Sequence, residues 1–295
     1  MADAPLHLAL DNSPLTMPIK EAGALPDGTP LRFETVQPIH RAFAPMAREG
    51  RFEVSEMAIV TALQALAYGK PIVLLPVTLA ARFQHRCLIR LASRPELTPA
   101  ALRGCRIGVR AYTQTTGMWV RAILAEEAGL PAEAVHWVTQ EGAHLAEYRD
   151  PPFTENRGKG RSLPDLLRAG EVDAAILGND LPDDPAFVPV FPDPAAAAAA
   201  WFARTGIVPV NHVLVARRDV AESRGDTLRA LMAALRANKP APSSDGAPDL
   251  RPMGEAALRK PLAAVLEACQ AQRLLPRAVS IEELFAPARE LGLAA

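Results

Sequence analysis

"CRIGVRAYTQTTGMWVRAILAEEAGL" (residues 105–130) decides how the chain is to be read. Its first six residues form a short strand-like run. Tyrosine, threonines and glutamine follow, and then an amphipathic run, closed by Gly129, that predicts a helix. A strand passing through a polar turn into a helix is the building unit of parallel α/β sheets. At such a turn the first helical N–H groups lack intrahelical partners and the helix dipole favours negative charge. Thr115 and Thr116, preceded by Tyr112, Thr113 and Gln114, are therefore a candidate cradle for a carboxylate. The plainer alternative is that one threonine caps the helix.

The same unit recurs on both sides. Upstream, "LHLALD" (6–11), "LRFETV" (31–36), "RFEVSE" (51–56) and "PIVLLPV" (71–77) read as strands, separated by the helical runs "PIHRAFAPMAREG" (38–50) and "MAIVTALQALAYG" (57–69). Downstream, "VHWVTQ" (135–140) and "EVDAAILG" (171–178) read as strands; "TPAALRG" (98–104), "SLPDLLRAG" (162–170) and "PAAAAAAWFARTG" (194–206) read as helices. Two longer strands are expected at "RFQHRCLIRLA" (82–92) and "VPVNHVLVAR" (208–217). Their placement predicts two lobes joined by two crossing strands, with lobe 1 at 1–84 and 216–295 and lobe 2 at 85–215. Each lobe would be a mixed, mainly parallel sheet flanked by helices, with the ligand cleft between them. Residues 149–161, "RDPPFTENRGKGR", read as an irregular flap and 239–249, "KPAPSSDGAPD", as a surface loop. "GKGRS" (158–162) lacks the spacing of a phosphate loop.

Composition narrows the function classes. The chain has 295 residues, 49% hydrophobic and 22% charged, with 32 Lys+Arg against 33 Asp+Glu. That balance leaves no basic excess for nucleic acid, so an anion site must be local. "PIVLLPVTLAA" (71–81), the longest apolar run, is too short for a membrane span. Three cysteines without paired spacing and an N-terminal "MADAPLHLALDNSP" without a signal-peptide pattern lead us to expect a reduced, cytoplasmic protein. A small aromatic or carboxylate molecule is the expected partner, and self-association into a homo-oligomer is compatible with the sequence.

The segments "RFEVSEMA" (51–58), "LPVTLAARFQHRCLIRL" (75–91), "LRGCRIGVRAYTQTTGMWVRAILAEEAGL" (102–130), "GEVDAAILG" (170–178) and "TGIVPVNHVLVAR" (205–217) together resemble the type II periplasmic-binding-protein-like domains. More narrowly they resemble the 4,5-dihydroxyphthalate decarboxylase family, from about residue 30 to 218. The chain departs from the family pattern at "LDNSPLTMPIKEAG" (10–23), where Asp11 is not followed by arginine, and at "MAIVTA" (57–62), where small hydroxylated residues are usual.

The resemblance implies a carboxylate clamp at Arg82, whose planar fork suits bidentate pairing. Arg86, Arg90 and Arg41 are lesser candidates. Ser55 and Glu56 end the third strand at the expected cleft edge, and a glutamate facing an apolar cleft could stay protonated and serve as an acid. His85 and His212, one on each crossing strand, could relay a proton or hold a ring hydroxyl. Asn211 could orient a hydroxyl and Asp11 would join the binding set. His40, His136 and His144 are weaker candidates, and "HWVTQEGAH" (136–144) has no metal-ligand spacing. Trp119 and Trp201 read as packing residues.

The resemblance thus implies a decarboxylase for a hydroxylated aromatic, phthalate-type carboxylate, working by ring protonation and then CO2 loss. It requires no organic cofactor and is compatible with a divalent metal. A non-catalytic solute-binding protein for a small carboxylate shares the fold and the clamp, and an enzyme of pyrimidine-precursor type on the same scaffold is a third reading.

Overall fold

The computed structural model describes residues 4–240 and 247–295, so 241–246 of the expected surface loop lie outside the described residues. Among the described residues, eleven strands form two sheets. The first contains β1 (Leu6–Ala9), β2 (Leu31–Phe33), β3 (Val54–Ala58), β4 (Ile72–Ala81) and β11 (Val210–Arg217), in the order β2-β1-β3-β11-β4. The second contains β5 (Leu88–Leu91), β6 (Arg106–Val109), β7 (His136–Thr139), β8 (Thr154–Asn156), β9 (Ala174–Ile176) and β10 (Phe187–Pro189), in the order β10-β5-β9-β6-β7-β8. Pairing is parallel around β1 and from β9 to β8, and antiparallel where β11 meets β3 and β4 and where β5 meets β9 and β10. This is the expected mixed, mainly parallel arrangement in two halves.

Helices α1 (Met17–Ala22), α2 (Phe43–Glu49) and α3 (Ile59–Ala67) belong to the first half, with α4 (Thr115–Ala128), α5 (Leu163–Ala169) and α6 (Pro194–Thr205) following in the second. The chain then returns through α7 (Arg218–Ser223), α8 (Gly225–Ala237), α9 (Glu255–Ala271) and α10 (Ile281–Glu290). All five residues of β3 are buried, and a continuous apolar cluster runs from Met57, Val60 and Leu63 to Trp119, Trp137 and Phe285. Burial of each large side chain of this kind contributes about 1.5–3 kcal/mol, so the shared core is what holds the halves together.

Three local expectations are corrected. Residues 82–92 are not one long strand: Gln84, His85 and Cys87 fold into a single 3-10 turn at His85–Cys87, and only Leu88–Leu91 is extended. The reason is a buried amide. Gln84 Nε2 donates to the Arg82 carbonyl (2.9 Å) and to Asn211 Oδ1 (2.7 Å), which bends the chain where it leaves β4. The return passage is complete before Val210, earlier than residue 215, because β11 pairs along its length with β3 and β4. The expected flap at 149–161 also contributes an edge strand, β8, in parallel register with β7.

The turn after α9 fastens both halves. Gln272 Nε2 donates to the Met118 carbonyl of α4 (2.9 Å), its Oε1 accepts from Arg121 Nε (2.7 Å), and Gln64 of α3 donates to the Leu274 carbonyl (2.9 Å).

Candidate active site

A cavity of about 670 Å³ opens between the two sheets. The first half supplies Asp11, Phe43, Glu56, Thr61, Asn211 and His212. The second half supplies Arg110, Thr115, Thr116, His144 and Asn179, and Arg82 stands where the chain passes between them.

Arg82 follows β4 directly. Its Nη2 donates to Thr116 Oγ1 (3.0 Å), its Nε to Gln84 Oε1 (3.4 Å) and its Nη1 to Asn179 Oδ1. All three acceptors are neutral. Asp180 also lines the cavity, but among the described residues no carboxylate lies within ion-pair distance of this guanidinium. It lies at the N-terminus of α4, where Gln114 makes no side-chain cap and the first intrahelical bond begins only at Met118 N–H. Thr115 is buried, and its Oγ1 has no hydrogen-bond partner among the described residues; Gln114 Oε1 is in the same condition. The threonines therefore do not cap the helix. An arginine, free amides and an unpaired hydroxyl converge, which is the chemistry of an anion site. Gly178 leaves room for it, since a Cβ there would sit 3.3 Å from Arg82 Nη2.

Glu56 and His212 form the second cluster. In the antiparallel register His212 pairs with Ala58, two residues beyond Glu56, so the two side chains share a face. His212 Nδ1 lies 2.6 Å from Glu56 Oε1, and Asp11 N–H donates to Glu56 Oε2 at 2.9 Å. Glu56 is thus held at both oxygens, with one of them against His212. His212 is half-buried and packs edge-on to Phe43, with ring centroids 5.1 Å apart. Asn211 stands beside it with Oδ1 committed to Gln84.

Three expected residues are elsewhere. Ser55 points to the opposite face of β3, donating to the Ala9 and Glu56 carbonyls, as strand alternation demands. Tyr112 is fully buried, with its OH on the Gln272 carbonyl (3.0 Å) and its ring 4.0 Å from the Arg121 guanidinium carbon. His85 is buried against Phe191 and Trp201, with no hydrogen bond to either nitrogen among the described residues; Glu127 lies 3.9 Å away. Burial lowers the His85 pKa, which makes it a neutral core residue. Arg86 is exposed, and neither it nor Arg90 or Arg41 lines the cavity. Trp119 and Trp201 pack against each other, as expected.

The structure brings in His40, Arg110, His144, Thr61, Asn179 and Arg251, which sequence reasoning passed over or ranked low. Thr61 and His144 come from α3 and from the loop after β7, and nothing in either segment signals that they meet. Their bond, Thr61 Oγ1 to His144 Nδ1, is 2.8 Å. Burial first, then the nearby Arg110 and His40, push His144 down to about 4. Burial and Arg110 lower His40 in the same way. Among the described residues no group of three or more His, Cys, Asp or Glu is arranged to hold a metal ion, and no helix is long and apolar enough to cross a membrane.

No family model matches the chain. A 4,5-dihydroxyphthalate decarboxylase of Comamonas testosteroni is 29% identical over 241 residues, covering 75% of this chain and 71% of the relative. One of Pseudomonas putida is 27% identical over 210 residues, covering 67% and 81%. Among solved structures, the periplasmic aliphatic sulphonate binding protein of Escherichia coli superposes with a TM-score of 0.54 at 13% identity, covering 95% of this chain and 91% of that one. The chain is thus similar in sequence to 4,5-dihydroxyphthalate decarboxylases and has a periplasmic-binding-protein-like fold. The cavity between the sheets is where Arg82, Thr115 and Thr116 and the Glu56–His212 pair meet.

Proposed function

We propose that the chain is a carboxy-lyase acting on a hydroxylated aromatic carboxylate of the phthalate type, with 4,5-dihydroxyphthalate as the first substrate to test. One observation carries the reading: an arginine paired only with neutral groups and a carboxylate-held histidine line the same cavity. The names of the two sequence relatives support it.

Direct loss of CO2 from an aromatic ring would leave an aryl anion. A hydroxyl para to the departing carboxylate avoids this by letting the ring carbon take a proton first. In our reading Arg82, Thr115 and Thr116 hold a carboxylate and His212, in its protonated form, gives the proton to the carboxyl-bearing carbon. Glu56 keeps Nδ1 occupied so that Nε2 serves the ring. The C–C bond then breaks, its electron pair restores the aromatic ring, and CO2 leaves. The apolar walls formed by Phe43, Ala58 and Leu79 strengthen each of these electrostatic contacts.

The test is to incubate the purified protein with 4,5-dihydroxyphthalate and follow CO2 and protocatechuate. Release of both in equal amounts supports the reading. Saturable binding without turnover, with or without added divalent metal, would transfer support to a solute-binding role.

A further inference from the structure

We propose that His144 is the group that takes the proton of the ring hydroxyl para to the departing carboxylate. The inference rests on the decarboxylase reading and adds the partner that its chemistry needs. His85, one of the two histidines expected from sequence for this part with His212, is sealed in the core. His144 lines the same cavity as His212, and the two imidazoles pack edge-on to one ring, Phe43, with centroids at 5.8 and 5.1 Å. A para-disubstituted ring presents its reacting carbon and its hydroxyl at opposite ends. It therefore needs two separated groups held at a fixed spacing, which Phe43 provides.

The two histidines are held differently. His212 has a carboxylate on Nδ1; His144 has the neutral hydroxyl of Thr61. That hydroxyl rotates, so it can accept Nδ1–H and leave the Nε2 lone pair for a donor in the cavity. Around His144 stand Phe43 and Arg48 of α2, His40 ahead of it, Thr61 of α3, Arg110 after β6, and Glu141 on its own loop. The cations and burial outweigh Glu141 and keep the ring neutral at pH 7.

A weak base suits the step. Before the ring carbon is protonated, the phenol does not give up its proton to so weak a base. Once that carbon has accepted a proton, the para O–H carries positive charge and becomes strongly acidic, and Nε2 can take its proton. The resulting dienone loses CO2, the C–C electron pair re-forms the ring with negative charge on oxygen, and the imidazolium returns its proton to that oxygen. His212 is then reprotonated from solvent, so one proton is consumed for each CO2 formed.

The experiment compares wild type, H144Q, T61V and T61S with 4,5-dihydroxyphthalate, alongside calorimetric binding of protocatechuate. We expect H144Q to lower kcat by about 100-fold or more, with the product dissociation constant within a few-fold of wild type. T61V should lower kcat about 10-fold, and T61S, which keeps the hydroxyl, should restore it. Should H144Q fail to fold, the T61V and T61S pair decides alone. An active wild type whose kcat is unmoved by H144Q, or whose T61V defect is not relieved by T61S, overturns the role of His144 and leaves the decarboxylase reading standing. An inactive wild type overturns both.

Discussion

Glu56 Oε1 and His212 Nδ1 lie 2.6 Å apart on neighbouring antiparallel strands, with the Asp11 amide closing the other carboxylate oxygen at 2.9 Å. A carboxylate on the far nitrogen of an imidazole fixes its orientation. Glu56→Gln keeps the size and can keep one hydrogen bond, but it removes that charge. We expect kcat to fall by about 100-fold or more with KM within a few-fold of wild type. Steady-state kinetics check this, and an unchanged kcat removes the pair from the mechanism.

Arg82 should show the opposite pattern. It meets only neutral acceptors, so its charge is available to a ligand anion. Loss of a charged hydrogen bond of this kind costs about 1.5–3 kcal/mol, so Arg82→Ala should weaken substrate or product binding by roughly 10- to 100-fold. Arg82→Lys should rescue little, because an ammonium cannot span Thr116, Asn179 and a carboxylate in one plane. Calorimetry gives the affinities directly.

Gln84 is a structural prediction. It is fully buried and joins the Arg82 carbonyl to Asn211 Oδ1. Gln84→Leu removes the donor and leaves the Asn211 oxygen buried without it, at a cost of about 1–3 kcal/mol. Urea unfolding should show that loss, and KM should rise because Arg82 Nε loses its Gln84 partner. Stability equal to wild type would mean that the bend after β4 does not depend on the amide.

Stability should decline on mild acidification for a stated reason. His40, His85 and His144 all have pKa values lowered in the fold, with burial the first cause of each. Below about pH 6.5 the unfolded chain takes up protons that the folded chain refuses, so stability present above that pH is lost as pH falls. For His144 the loss continues down to about 4. Asp150, raised by burial, works in the opposite direction, whereas Glu155 and Glu282, held near 2 by arginines, matter only at lower pH. Denaturant midpoints from pH 7 to 4.5 should therefore drop, and His85→Phe should flatten the slope without altering kcat.

The alternation of strands and helices, the two-half architecture and the placement of Thr115 and Thr116 at a helix start were legible because they follow from local patterns: apolar periodicity, a polar turn and a helix start. What was hidden depended on facing and on long-range meetings. Ser55 and Glu56 are equal candidates until the pleat sends one behind the sheet. His85 lies in an expected strand, but the buried Gln84 amide turns the chain and carries the imidazole into the core. Tyr112 sits in the right turn, yet the Arg121 guanidinium and the Gln272 carbonyl hold it inward. His144 and Thr61, 83 positions apart, meet only once the sheets are assembled.

The knot at Gln272, bonded to α4 and followed by a turn bonded to α3, gives the molecule a stiff spine. A wide jaw-like swing of the halves would have to tear those bonds and expose the cation of Arg121 to a new partner. Leu250, which is exposed, and Arg251 line the cavity, so turnover should respond more to bulk introduced there than to solvent viscosity acting on whole-lobe rotation.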